Sequence, residues 1–75
     1  MSVKAYVLLV TAVGKEQDVA VSLKSIKGVI AANPVYGEYD VVAEVVTDTL
    51  EDLNRTISEI RRNPNILRTV TLIVM

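Results

Sequence analysis

Tyr6 to Val10 reads Tyr-Val-Leu-Leu-Val, Val41 to Val46 reads Val-Val-Ala-Glu-Val-Val, and Val70 to Met75 reads Val-Thr-Leu-Ile-Val-Met. These three runs are apolar at nearly every position, whereas a strand covered on one face only would alternate apolar and polar residues. Because successive side chains of a strand point to opposite faces, the runs predict a sheet that is covered on both sides. Helices can cover only one side in a chain of 75 residues, so we expect the other side to meet another chain.

Composition also predicts a small domain that associates. The chain is 51% hydrophobic, has a net charge of -1, and contains neither cysteine nor histidine. In so short a chain the free energy of apolar burial and the ordering entropy nearly cancel, so disulfides, metals or partner chains are usually needed. The missing residue types exclude disulfides, thiolate nucleophiles, Cys/His zinc sites and the usual histidine base. We therefore predict no cofactor, no metal, and stabilisation by a partner chain.

Charge and hydropathy argue against membrane and nucleic-acid binding. The longest apolar stretches are of strand length, and the N-terminus lacks a basic segment followed by a hydrophobic core. Eight basic residues against nine acidic ones create no basic field, and the clustered Arg61 and Arg62 lie at a predicted helix end. We expect a cytoplasmic protein that contacts neither a membrane nor nucleic acid directly.

The order of predicted elements is typical of an α+β, ferredoxin-like βαββαβ fold in a single domain, residues 1–75. Strands are predicted at Val3 to Thr11, Val29 to Tyr36, Asp40 to Thr47 and Ile66 to Met75; helices are predicted at Lys15 to about Ile26 and from Asp48 to the Asn63-Pro64 step. We expect a four-stranded antiparallel sheet with two helices on one face and dimerisation through the other. Right-handed crossovers place strands one and three in the centre.

Local signals support both helices. Their predicted apolar stripes are Val19, Ala20, Leu23 and Ile26 in the first helix and Leu50, Leu53, Ile57 and Ile60 in the second. Gly14 is the predicted N-cap of the first helix, and Asp48 with Glu51 resembles a capping box for the second. A favourable pair between Glu51 and Arg55 is expected one turn apart.

The two predicted edge strands carry signals of their position. Pro34 lacks an amide donor, which fits an edge strand. Beyond Arg68 the last strand is uncharged and apolar, and such edges are usually covered by pairing within an oligomer. The apolar edge formed by the last strand and the runs that are apolar on both faces therefore predict self-association independently.

Two stretches of the chain form recognisable motifs: Val35 to Val42 reads Val-Tyr-Gly-Glu-Tyr-Asp-Val-Val, and Arg68 to Val74 reads Arg-Thr-Val-Thr-Leu-Ile-Val. The first is similar to the Gly-x-Tyr-Asp hairpin, and the second resembles the threonine-rich last strand, of the ligand-sensing domain of the Lrp/AsnC transcription regulators, the amino-acid-metabolism regulatory (RAM) domain. The resemblance covers essentially the whole chain. It departs from full-length members because no helix-turn-helix precedes the first strand, so we expect no DNA-binding domain.

This resemblance implies a stand-alone effector sensor that binds a free amino acid and modulates the transcription regulation of amino acid metabolism. It implies homodimers joined through their sheets, a higher ring oligomer of those dimers, and an amino acid bound where dimers meet. Without a DNA-reading half of its own, the domain would act by co-assembling with full-length Lrp/AsnC-type regulators.

A zwitterionic ligand needs acceptors for its ammonium and donors for its carboxylate. Asp40 can accept from the ammonium, and Gly37 lets another molecule approach main-chain groups closely. Thr69 and Thr71 lie two apart on one predicted strand, so both hydroxyls point to one face and can donate to the carboxylate. These residues are candidates for ligand binding.

Tyr36 and Tyr39 are the remaining ligand-binding candidates, because they can wall the same site. A structural alternative stays open at all these positions. Glycine and aspartate are common turn residues, threonine favours strands, and tyrosines beside turns usually pack with a wet hydroxyl.

Glu44 interrupts an otherwise apolar strand that is predicted to be central. A buried, unpaired carboxylate would cost several kcal/mol. The alternatives are an ion pair with Lys4 or Arg68, a solvated position, or a charge that serves the ligand or an interface.

An enzyme is the competing function, since dimeric ferredoxin-like barrels also host isomerase or monooxygenase chemistry. Only Asp40 or Glu44 could act as a carboxylate base, and the chain has no Gly-rich phosphate loop. We therefore predict a protein that is not an enzyme. Another amino-acid-sensing module of the same strand order, with sheets joined side by side, is the nearer alternative.

Overall fold

The computed structural model describes residues 2–75 and confirms the predicted βαββαβ order. The elements are β1 (Val3–Thr11), α1 (Glu16–Leu23), β2 (Val29–Pro34), β3 (Val41–Thr47), α2 (Leu50–Ile60) and β4 (Ile66–Ile73). Their strands form one antiparallel sheet in the order β2-β3-β1-β4, so β1 and β3 are central as the crossover rule predicts. Neither described helix is long and apolar enough to cross a membrane.

Several elements are shorter than predicted. Strand β2 ends at Pro34, β3 begins at Val41, and β4 ends at Ile73, each one or two residues inside its predicted limit. Pro34 offers no amide to extend the ladder. Helix α1 ends at Leu23 because the chain then tightens into hydrogen bonds between residues three apart, such as the Ile26 amide to the Leu23 carbonyl at 3.0 Å.

The predicted helix caps are wrong by one position. Lys15, not Gly14, is the N-cap of α1, and its side chain makes no capping hydrogen bond. Thr49 caps α2, because its extended backbone lets the hydroxyl accept from the Asp52 amide at 3.1 Å. Asp48 also carries a side-chain acceptor that could cap a helix. The extended backbone at Thr49 makes Thr49 the residue at the helix start.

One face of the sheet packs on the helices. The buried apolar core comprises Ala5, Val7, Leu9, Val19, Ala20, Leu23, Ala32, Val41, Ala43, Val45, Leu53 and Ile60.

The buried face of α2 differs from the predicted stripe at two positions. Leu50, predicted to be in the stripe of α2, is 54% exposed, whereas Thr56 is buried. The Thr56 hydroxyl donates to the Lys27 carbonyl at 3.0 Å, which explains how a polar residue fits there. The predicted pair of Glu51 and Arg55 is confirmed at 3.1 Å.

The other side of the sheet, called the open face below, carries no helix of the described chain. By ladder register it presents Lys4, Tyr6, Leu8 and Val10 of β1, Ala31 and Asn33 of β2, Val42, Glu44 and Val46 of β3, and Arg68, Val70 and Leu72 of β4. All of these residues are half-buried or exposed. Of the alternatives for Glu44, the structure shows the ion pair with Lys4, at 3.1 Å.

Candidate functional site

The connection between β2 and β3 forms one wall of a cavity at the end of the sheet, called the turn cleft below. The cavity measures about 520 Å³ and lies between this connection, the loop after β1 and the first turn of α1. It is lined by Thr11, Ala12, Val13, Gly14, Glu16, Gln17, Pro34, Val35, Tyr36 and Asp40. Its volume suits a small-molecule ligand.

Asp40 is held in the turn cleft by main-chain groups. Its Oδ2 atom accepts from the Thr11 amide at 2.9 Å, and its own amide donates to the Leu9 carbonyl at 2.8 Å. The β1–β4 register shifts between Val10 and Thr11, and such a bulge redirects the Thr11 amide away from regular ladder pairing. Within residues 2–75 only Oδ2 of this carboxylate is hydrogen-bonded, so Oδ1 can accept from a ligand.

Tyr36 and Gly37 form the exposed tip of the same connection. Tyr36 is fully exposed and lines the turn cleft. Gly37 has a φ of 128°, a conformation that residues with a side chain rarely adopt, and open space surrounds its missing Cβ. The tip therefore leaves main-chain groups accessible to another molecule.

Tyr39 does not line the turn cleft. Its ring lies beneath the Arg68 guanidinium, whose central carbon is 5.7 Å from the ring centre. Arg68 pairs with Val10 in the ladder and so belongs to the open face. The structure therefore joins Tyr39 to the open face by a cation–π contact.

Thr69 and Thr71 also lie away from the turn cleft. They pair with Leu9 and Val7, whose side chains are in the core, so both hydroxyl-bearing side chains lie on the helix side of β4. Strands β3 and β4 flank β1 on opposite sides, which separates β4 from the strand after Asp40 by about 10 Å. One chain alone does not bring the threonines to Asp40.

A second cavity, of about 530 Å³, lies at the opposite end of the sheet. It is lined by Ser25, Ile26, Lys27, Gly28, Val46, Thr47, Asp48, Asp52, Arg55, Thr56 and Glu59. Its Arg55 guanidinium is already engaged by Glu51 at 3.1 Å and by Asp52 at 3.3 Å. The turn cleft is the better candidate site because the predicted ligand-binding residues Tyr36 and Asp40 line it, whereas no predicted ligand-binding residue lines the second cavity.

The sequence model of the Lrp/AsnC ligand binding domain matches residues 4–75. This chain belongs to the Lrp/AsnC ligand-binding domain family. The family is the ligand-binding part of transcription regulators, so the effector-sensing class predicted from the two motifs is confirmed. No curated protein sequence matches the chain.

Solved structures share the fold of this Lrp/AsnC domain. The hypothetical protein PHS023 from Pyrococcus horikoshii is 47% identical with a TM-score of 0.91, over 97% of this chain and 89% of that one. AsnC from E. coli is 23% identical with a TM-score of 0.87, over 97% of this chain and 50% of its own. The Neisseria meningitidis regulator NMB0573, solved as an L-Met complex, is 13% identical with a TM-score of 0.83, over 97% and 49%. This chain therefore spans about half the length of these two regulators.

Sequence reasoning missed one wall of the cleft in this Lrp/AsnC domain. Ala12, Val13 and Gly14 line the cleft opposite the β2–β3 connection, together with Gln17 of α1. Val13 is fully exposed although it is apolar. A β-branched apolar residue directly before a loop glycine is the one sequence signal that points to this wall.

Proposed function

We propose that this Lrp/AsnC domain senses a free amino acid by binding it at the turn cleft. The observation that carries the proposal is the Asp40 carboxylate, held at one oxygen by the Thr11 amide beside a cavity of ligand size. A fixed carboxylate with an unused oxygen suits the ammonium group of an amino acid. The L-Met complex of the NMB0573 regulator supports this ligand class.

The other predicted residues have separate roles in this proposal. Tyr36 gives the ligand an apolar wall, and the Gly37 tip offers main-chain groups. Thr69 and Thr71 donate to the ligand carboxylate from a neighbouring copy, because they lie on an edge strand about 10 Å from the strand after Asp40. Tyr39 contributes at the same junction, so the complete site forms where dimers meet.

The proposal includes assembly of the domain with itself and with other regulators. A second copy covers the open face, whose half-exposed Tyr6 and Leu72 would otherwise contact water. The resulting dimers assemble into a ring. The domain then modulates transcription regulation of amino acid metabolism in the cytoplasm by co-assembling with full-length Lrp/AsnC-type regulators, without contacting nucleic acid or membrane itself.

We also propose that binding occurs without catalysis. The carboxylates of the turn cleft are Glu16 and Asp40, and the chain supplies no histidine or cysteine to act beside them. The regulatory character of the family supports the same view. Mass spectrometry of a bound amino acid after long incubation is expected to return it unchanged, and a new product would contradict this part.

A melting-temperature screen of the wild-type protein against free amino acids tests the sensor, with light scattering to follow its size. A ligand at about a hundred times its Kd that binds only the native state adds about 2.7 kcal/mol. We expect a shift with one or a few amino acids and no shift in Asp40→Asn. Asp18→Asn, which neutralises an exposed carboxylate on α1, is the control expected to keep the shift. No shift with any amino acid would contradict the proposal.

A further inference from the structure

An ion pair occupies the middle of the open face. Glu44 is the central residue of the seven-residue strand β3, and β3 with β1 forms the middle of the sheet. The Lys4 ammonium lies 3.1 Å from Glu44 Oε2, and the two side chains are 40% and 29% exposed. A molecule that covers the open face therefore also buries this pair.

The surroundings of the pair are aromatic and apolar. Tyr6 lies directly opposite Glu44 in the ladder, and its ring centre is 5.3 Å from the Lys4 ammonium. The remaining charge of the described open face, Arg68, lies over the Tyr39 ring. Lys4 with Glu44 is therefore the one ion pair that the described open face carries.

We infer that Lys4 and Glu44 select the chain that covers the open face, favouring a second copy of this chain over an apolar sheet face. The inference rests on the proposed sheet-to-sheet dimer. Apolar burial is non-directional, so the other residues of the face would accept many partners and orientations. Buried charges are selective, because a charge that loses its water of hydration needs complementary groups from the partner in its place.

The geometry leaves both charged groups incompletely satisfied within one chain. Their shared contact of 3.1 Å leaves ammonium protons and the second carboxylate oxygen available to groups across an interface. Under two-fold symmetry every contact occurs twice, so Lys4 of each copy facing Glu44 of the other supplies two opposite-charge contacts. A partner with apolar residues at these positions supplies none.

A charge-swapped variant, Lys4→Glu with Glu44→Lys, tests the inference. The swap preserves the pair within each chain but reverses the sign of every charge contact between a variant and a wild-type copy. Isotope-labelled variant and unlabelled wild type are unfolded, refolded together and weighed by native mass spectrometry. We expect each chain to dimerise with itself and mixed dimers to fall at least about tenfold below the binomial ratio.

A second swap provides the matched control. Glu59→Arg with Arg62→Glu reverses an exposed ion pair between the last turn of α2 and the residue just beyond its C-cap, with the two charged groups 3.3 Å apart and away from the open face. This control is expected to mix with wild type at the binomial ratio, as labelled wild type does with unlabelled wild type.

The outcomes separate the inference from the proposed function. Binomial mixing of the charge-swapped chain would overturn the selection by Lys4 and Glu44 while the dimer stands, whereas a monomeric wild type would overturn both. If the swapped chain does not fold, Lys4→Met with Glu44→Leu replaces it, because apolar residues suit this face. That variant is expected to dimerise with itself, and its mixed dimers with wild type are also expected to fall below the binomial ratio. Binomial mixing would again overturn the inference.

Discussion

The Thr11 amide donates to Asp40 Oδ2 at 2.9 Å, across 29 positions of sequence. This hydrogen bond ties the connection between β2 and β3 to the end of β1. It also orients the Asp40 carboxylate, so that the proposed ammonium acceptor is a structural residue too. The two roles can be separated because only one of them needs the negative charge.

Two substitutions of Asp40 separate structure from binding. Asp40→Ala is expected to lower the free energy of unfolding by about 1–3 kcal/mol, because the Thr11 amide loses its acceptor. Asp40→Asn keeps an acceptor oxygen and should cost less than about 1 kcal/mol, yet abolish amino acid binding because its amide is neutral. Urea unfolding measures the first effect and calorimetric titration the second. Wild-type affinity in Asp40→Asn would contradict the ammonium role.

The proposed carboxylate donors are tested by Thr69→Val with Thr71→Val. Valine keeps the β-branched shape that suits a strand, so the free energy of unfolding should change by less than about 0.5 kcal/mol. Amino acid affinity should fall about tenfold or more, since hydrogen bonds to a charged group are lost. Ser58→Ala removes an exposed hydroxyl from α2 and serves as the control. Unchanged affinity in the double variant would move the carboxylate contact elsewhere.

Gly28 is expected to be far less tolerant of substitution than Gly14. An added Cβ at Gly28, where φ is +99°, would lie 2.8 Å from the buried Thr56 hydroxyl. Gly28→Ala should lower the free energy of unfolding by about 2 kcal/mol or more. At Gly14, with φ of +78° and nothing within 4 Å of the added atom, alanine should cost only about 1 kcal/mol of backbone strain. Equal urea midpoints for the two variants would contradict this reading.

The contribution of Lys4 to stability is expected to decline in alkaline solution. Polar contact with Tyr6 and then with Glu44, together with the Glu44 charge, raises the pKa of Lys4 above its usual 10.5. A raised pKa in the folded state means that the stabilisation is complete below the unfolded pKa and is lost as the pH rises through the folded one.

The stability difference between wild type and Lys4→Met should therefore be constant from about pH 7 to about pH 10 and shrink above 10.5. Urea unfolding at one protein concentration and low ionic strength across this range measures it. A difference that already shrinks between about pH 7 and about pH 9 would show that another group controls it.

The sequence predicted the element order and the sheet topology because both follow from short-range periodicity. The apolar runs, Pro34 and the helical stripes each act locally, and right-handed crossovers leave one strand order. The errors are local choices between near-equal options. Thr49, not Asp48, caps α2 because the backbone is extended at Thr49. Thr56 is buried and Leu50 is exposed, because the Thr56 hydroxyl can donate to the Lys27 carbonyl.

The candidate site was only partly predictable. Tyr36, Gly37 and Asp40 are close in sequence, and the structure places them in or beside one cleft. Thr69 and Thr71 share a face as expected from their spacing, but the ladder register turns that face toward the helices. Spacing along one strand fixes which residues share a face and leaves open which face it is.

The sequence by itself determined that the chain forms βαββαβ, that the sheet has two apolar sides, and that a Gly-x-Tyr-Asp hairpin occupies one end of it. Those features depend on residues within a few positions of each other. Only the tertiary structure decided that Asp40 is held by Thr11 and that Glu44 pairs with Lys4 rather than Arg68. Both contacts join distant segments, so their geometry depends on strand register and on the bulge at Thr11, which no local pattern encodes.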